Sequence, residues 1–249
     1  MTTQMQGRPQ AQPSGAAAVP PPDVRQMVGF SFYRLDPAWR QLPKAAKHEH
    51  TGELLGVLNQ YSKKLMMLTY SLVGMRPDVD FLIWRVGSHL EELQEMSGAI
   101  WQTQMGGYLS TPHAYLSMTK RSLYVDKIDP DHPDTRRFIT PAHAKYLFVY
   151  PFVKTTEWYQ LPFEERQKMM DEHIVLGNKF PSVKIHTTYS FGLDDPEFVL
   201  AFETDSPKDF LDLVMAMRES KARPYTLRDT PIFSCVAKPM TDILRDIGA

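Results

Sequence analysis

Two stretches, GMRPDVDFLIWRVGS at residues 74–88 and GLDDPEFVLAFETDS at residues 192–206, follow the same plan. Each opens on a glycine and passes a turn rich in Asp and Pro. Each then runs through apolar, β-branched or aromatic residues and ends on a serine suited to cap a helix. From glycine to serine is 14 residues in both. Working outward, Met27–Arg34 reads as a strand, residues 51–62 as a helix with Leu54, Leu55, Val57, Leu58 and Tyr61 at helical spacing, and residues 64–74 and 80–87 as strands. Ser88-His-Leu-Glu91 reads as a capping box that starts a helix running to about Thr103, and His113–Ser122 as a further strand. The second stretch is framed in the same way. Tyr146–Lys154 is a strand, and residues 162–178 a helix with Pro162 suited to its first position. Residues 182–191 and 197–205 are strands, Ser206 caps a helix to about Glu219, and residues 231–236 close the set. The order β-α-β-β-α-β therefore occurs twice. It predicts an α+β fold of two ferredoxin-like halves in tandem, of the dimeric α+β barrel type. The expected division is a half at 25–125, a linker rich in Pro and charge at 126–144, and a half at 145–249.

Composition narrows the function classes. Over 249 residues, Lys plus Arg is 28 and Asp plus Glu 29, a net charge of −1 that argues against a nucleic-acid phosphate binder. The lone Cys235 excludes an internal disulfide or a cysteine-rich metal site and fits a reducing, cytoplasmic setting. No apolar run is long enough to span a bilayer. Residues 1–24, rich in Gln, Pro, Ala and Gly, lack the apolar centre of a secretory signal and are expected to form a disordered tail. No phosphate-binding glycine loop, His-Glu-x-x-His pair or Gly-x-Ser-x-Gly elbow is present, which removes support for the usual phosphate enzymes, zinc proteases and esterases.

The residues that could carry chemistry cluster after the linker. Strand alternation puts Tyr146, Phe148, Tyr150, Phe152 and Lys154 on one face and Leu147, Val149 and Val153 on the other. A phenol and an ammonium would thus share an aromatic wall, where Lys154 could hold a carboxylate beside Tyr150. The bland alternative is a buried sheet face with Lys154 reaching solvent. Pro151 lacks a donor and predicts an interruption or a free edge there. On its helix, His173 falls beside Met169, Met170 and Leu176, a setting that favours a neutral imidazole needing a partner. A haem iron or a backbone carbonyl would both serve. His132 lies in the linker near Arg136 and Arg137, where two halves commonly build a pocket, although a solvated His-Pro turn fits as well.

The combination of YPFVK from Tyr150, WYQLPFEER from Trp158 and the histidine at 173, followed by SFGLDDPEFVLAFETD, closely resembles the chlorite dismutase-like haem proteins. Within that family it is most similar to the coproheme decarboxylases. The likeness covers residues 27–236 and is strongest over 145–236. The resemblance implies the tandem ferredoxin-like fold, a ring of five identical subunits, and possible delivery of substrate by a ferrochelatase. It makes His173 the proximal iron ligand, Tyr150 the residue that becomes a radical, and Lys154 a contact to a propionate. Arg136 or Arg137 would be a second propionate contact, and Phe152 and Ile185 would line the porphyrin site. Ile185 stands where dismutases carry a distal arginine, and Ala222 where they carry a glutamate supporting the proximal histidine. His132 is the best match for the distal base, with His113 and His143 as alternatives.

The activity so implied is peroxide-dependent conversion of two propionates of iron coproporphyrin III (coproheme) to vinyls, giving haem b. Hydrogen peroxide would bind opposite His173, and a Tyr150 radical would take hydrogen from a propionate β-carbon before carbon dioxide leaves. The competing readings are a chlorite dismutase or haem peroxidase of the same family, or a haem carrier without turnover.

Overall fold

The computed structural model describes residues 25–128 and 138–248. The first half comprises β1 (Met27–Leu35), α1 (Lys44–Tyr61), β2 (Met66–Ser71), β3 (Phe81–Gly87), α2 (Leu90–Trp101) and β4 (Leu109–Met118), and α3 (Leu123–Ile128) follows it. The second comprises β5 (Tyr146–Lys154), α4 (Thr156–Gln160), α5 (Phe163–Gly177), β6 (Lys184–Tyr189), β7 (Phe198–Thr204) and α6 (Pro207–Arg218). It ends with β8 (Thr226–Arg228), β9 (Phe233–Ala237) and α7 (Met240–Asp246). The predicted β-α-β-β-α-β order is present twice, and the expectation for residues 1–24 lies outside the described residues.

The strands form one antiparallel system in which β4-β1-β3-β2 and β6-β7-β5-β9 are the two ferredoxin-like sheets. The sheets meet at β2–β9 through Tyr70↔Ala237 and Ser71↔Val236, and at β4–β6 through Met118↔Tyr189. Eight strands thereby close into a barrel, with β8 appended to β5. The β4–β6 seam has one ladder pair, so side chains reinforce it. The Leu116 amide donates to Asp194 at 2.8 Å, Ser190 donates to the Leu116 carbonyl, and Ser117 and Thr188 are hydrogen-bonded at 2.8 Å.

Each strand's pleat divides its side chains between the barrel interior and an outer helical layer. Inside lie Phe30, Phe32, Tyr70, Trp84, Leu147, Val149 and Phe233 from both halves. Phe233 stacks on Phe32 across the halves at 3.9 Å. Outside the first sheet, α1, α2 and α7 pack tightly with Leu54, Leu58, Met96 and Ile243. Outside the second, α6 packs through Phe210 and Leu213 against Phe148 and Phe202. The other helix of that layer, α5, buries only Gln167 fully. The halves thus share a topology but not an outer layer.

The two glycines of the repeated stretch have left-handed backbones, Gly74 at φ 77° and Gly192 at φ 70°, which a side chain would strain. The caps differ by one residue. Ser206 accepts from the Asp209 amide as expected, at 3.3 Å. Ser88 is not the cap of α2. His89 takes that place, and Glu92 accepts from both the Ser88 and His89 amides at 3.0 and 3.2 Å. Pro162 likewise precedes α5 as its cap rather than forming its first residue, because its ψ of 145° is extended. Pro151 falls where β9 has left β5 and β8 has not yet joined it, so its missing donor interrupts no ladder.

Phe233→Ala should cost about 3–5 kcal/mol in denaturant unfolding at an unchanged m-value, since the void would open between the halves. A loss under about 1 kcal/mol would mean that the interior does not couple them.

Candidate functional site

The loosely covered face of the second sheet bounds a cavity of about 1690 Å³. That exceeds the roughly 300–1,000 Å³ usual for small-ligand pockets. Its floor is β5, β6 and β7, its lid is α5, and its sides come from α4, α6 and the chain around residues 118–125 and 138–140.

Strand β5 is paired on both edges, by β7 and β9, which fixes its register. Leu147 and Val149 consequently point into the barrel, while Phe148, Tyr150, Phe152 and Lys154 line the cavity, as the alternation predicted. On α5, Arg166, Met170, His173, Ile174 and Gly177 form one helical face toward the same space. His173 therefore neighbours Met170 as expected, but Ile174 and Gly177 replace Met169 and Leu176 around the cavity. Ile185 projects outward from β6 opposite Phe202, packs near Tyr150 and also lines the cavity. His186, next in the strand, turns into the barrel, where its Nε2 lies 2.7 Å from Glu203 and its ring stands edge-on to Trp84.

Burial sets the ionisation of these groups. It lowers the His173 imidazole to about 4, and the charge of Lys154 acts in the same direction. No hydrogen-bond partner for the His173 ring is found among the described residues. A neutral, unpartnered imidazole aimed into a large cavity suits a ligand to a metal held there. Burial likewise raises the Tyr150 phenol well above its ordinary value. Asp229 adds to that rise, while Arg218 and Arg223 oppose it. The ring stacks on Phe202 at 5.5 Å. Burial lowers Lys154 to about 8, Glu197 opposing and Arg223 assisting. Its Nζ stands 4.2 Å from the Trp158 ring centroid and 3.5 Å from the carbonyl of Ala222. The backbone of Lys154 is held by the Glu197 carboxylate at 2.7 Å, which also accepts from the Tyr159 hydroxyl at 2.7 Å.

The structure thus brings Tyr150, Phe152, Lys154, His173 and Ile185 to one cavity, with Ala222 on its wall. His132, Arg136 and Arg137 lie outside the described residues. Of the alternatives to His132, His113 is bonded to Asp78 at 2.8 Å with its ring against Phe233, and His143 is exposed; neither lines the cavity. Sequence reading missed three further lining groups, Arg218, Arg223 and Asp229. They meet only through the turn after α6, and no spacing announces them. It also missed the short helix α4, which seats the buried Trp158 beneath Lys154.

The residues present fit a large flat ligand that carries both a metal and acids. The walls are aromatic and aliphatic, the lid offers one free imidazole, and Lys154, Arg218 and Arg223 supply cations at the margin. Among the described residues no cluster of three or more His, Cys, Asp and Glu is placed to hold a metal ion.

Comparison with known proteins points the same way. Residues 47–238 match the family described as chlorite dismutase. A coproheme decarboxylase of Mycolicibacterium smegmatis is 32% identical over 166 residues, which cover 66% of this chain and 70% of that one. A coproheme decarboxylase of Staphylococcus carnosus is 28% identical over 213 residues, 77% of this chain and 84% of that one. In structure, a chlorite dismutase variant from Candidatus Nitrospira defluvii superposes with a TM-score of 0.82 at 26% identity, covering 90% of this chain and 96% of that one.

The ordinary imidazole value is 6.5, against about 4 for His173 in the fold. Between those values the unfolded chain binds more protons than the folded one, so stability falls as pH drops from 6.5 toward 4. His173→Gln should flatten that acid limb in melts of the ligand-free protein. Parallel limbs for wild type and variant would place the ring in solvent.

Proposed function

The chain belongs to the chlorite dismutase family, and from that premise we propose that it is a coproheme decarboxylase, converting two propionates of iron coproporphyrin III to vinyls at the expense of hydrogen peroxide. The observation that carries this reading is the convergence of Tyr150, Lys154 and His173 on one cavity of about 1690 Å³. The substrate's iron supplies the oxidising power when peroxide reacts with it. For each arm, carbon dioxide and two hydrogen atoms leave, and one peroxide becomes two waters.

The protein's part follows from its own groups. His173 offers an unprotonated nitrogen to the iron across the neutral pH range, because its burial disfavours the imidazolium. Tyr150 keeps its O–H, since burial disfavours the phenolate. It is therefore a hydrogen-atom relay rather than an anion, and its radical takes hydrogen from the β-carbon of a propionate held against it. Lys154, lowered to about 8, stays largely charged at neutral pH and can bind a carboxylate. Phe152, Ile185 and Leu200 present apolar surface that keeps water from the reacting arm. His132 would serve as distal base, and Arg136 or Arg137 would hold a second propionate. A cytoplasmic ring of five subunits, receiving substrate from a ferrochelatase, belongs to the same reading.

The structural likeness to chlorite dismutases supports a second reading, chlorite breakdown to chloride and oxygen. Against it stands Ile185, an aliphatic side chain where that chemistry is helped by a distal cation. Oxygen release from chlorite should accordingly be negligible.

Mass spectrometry of the porphyrin after adding coproheme and peroxide tests the main reading. Two successive losses of carbon dioxide and two hydrogens are expected. Tyr150→Phe should still bind coproheme with a Soret band yet form no vinyl product; haem b at the wild-type rate would discard the radical role. His173→Ala should shift the Soret band and weaken binding, and an unaltered spectrum would remove the ligand assignment.

A further inference from the structure

Beside Tyr150 the cavity wall carries two arginines closed on one acid. Arg218, the last residue of α6, places Nη1 2.5 Å from Asp229 Oδ2, and Arg223 places Nη1 2.7 Å from the same oxygen. Arg218 and Arg223 keep 40% and 34% of their side chains exposed, and Asp229 keeps 17%. All three line the cavity, and they are the charged groups whose fields reach the Tyr150 phenol. The arrangement is a carboxylate seat already filled by the protein's own carboxylate.

The charges explain why such a seat would exchange its occupant. Two guanidiniums and one carboxylate leave a net single positive charge on this wall, which draws in an acid. Guanidinium matches a carboxylate in fork geometry, and each fork here spends only one of its donors on Asp229. An incoming carboxylate that takes the same fork position displaces the aspartate from at least one arginine, and like-charge repulsion from Asp229 favours that exchange over sharing the seat. Burial by itself would raise the Asp229 carboxyl. The hydrogen bonds from Arg223 and Arg218 outweigh that and hold it below its ordinary value, so it remains an anion while the seat is closed.

We propose that Asp229 is an internal placeholder for a ligand carboxylate: it holds Arg218 and Arg223 in position in the free protein and yields them to an acid-bearing arm of the porphyrin, which is thereby set beside Tyr150. This rests on the reading of the cavity as a coproheme site and adds a residue that decides which arms are admitted. A porphyrin whose acids are esterified gains nothing from the exchange. The aspartate thus sets a threshold that only a genuine carboxylate crosses.

The test compares binding of iron coproporphyrin III and of its tetramethyl ester, followed by Soret titration. Asp229→Asn removes the competing charge and should tighten the tetra-acid roughly fivefold, with no matching change for the ester. Asp229→Glu, which restores the charge, should return the tetra-acid to wild-type affinity. Weaker or unchanged tetra-acid binding in Asp229→Asn would make the aspartate plain scaffolding and overturn the proposal, as would an equal gain for the ester. A structure of the wild-type complex provides a check independent of how the variants fold. There Asp229 should have released at least one guanidinium, and both ion pairs intact would refute the exchange. If wild type binds neither porphyrin, the coproheme reading itself fails and takes this inference with it. Binding that is insensitive to residue 229 removes only the placeholder.

Discussion

Strand β5 is paired along one edge by β7 and along the other by β9 and then β8, with a gap at Pro151, and that single constraint organises the molecule. A strand so held cannot slip by one residue without turning its apolar face outward. Leu147 and Val149 are therefore committed to the barrel interior, and Tyr150, Phe152 and Lys154 to the outer wall. Closure of eight strands adds to this, because a barrel has no free edge along which the sheet could relax. Tyr150, Phe152 and Lys154 are thus placed by a strand whose register is fixed.

The same closure explains why the cavity lies in one half only. Both sheets contribute their inner faces to a shared core, which leaves each a single outer layer of helices. In the first half α1, α2 and α7 fill that layer. In the second, α6 packs down while α5, which buries only Gln167 fully, leaves open space beneath the face formed by Arg166, Met170, His173, Ile174 and Gly177. The cavity lies where that helix stands clear of the sheet. Burial within that space then disfavours charge on His173 and Tyr150 together, so one environment yields both an unprotonated imidazole and a phenol that keeps its proton.

Much of this was legible in sequence, though unevenly. The repeat of glycine turn, strand and cap shows that each half is built alike, and the left-handed glycines confirm the turns. Caps were less readable: Ser88 looked like a better cap than His89, yet Glu92 supplies the bonding by reaching back to both amides. Such one-residue shifts depend on where the preceding strand releases the chain, which no local pattern encodes. The start of α1 at Lys44 was hidden because its first turns carry no apolar stripe. Arg218, Arg223 and Asp229 were hidden for a different reason, since isolated charges in a polar turn look the same whether they face solvent or a cavity.

By itself, the sequence determined what its periodicities and motifs can express: two ferredoxin-like halves, the faces of β5, and which aromatic, basic and imidazole groups share a side of their own element. Periodicity is a property of neighbours along the chain, so it survives without knowledge of the partner across the gap. Tertiary structure alone decided that the halves close into one barrel, that α5 stands clear of the second sheet, and that an aspartate already occupies the arginines beside Tyr150. Those facts depend on distances between elements far apart in sequence, and on how completely one surface fills another.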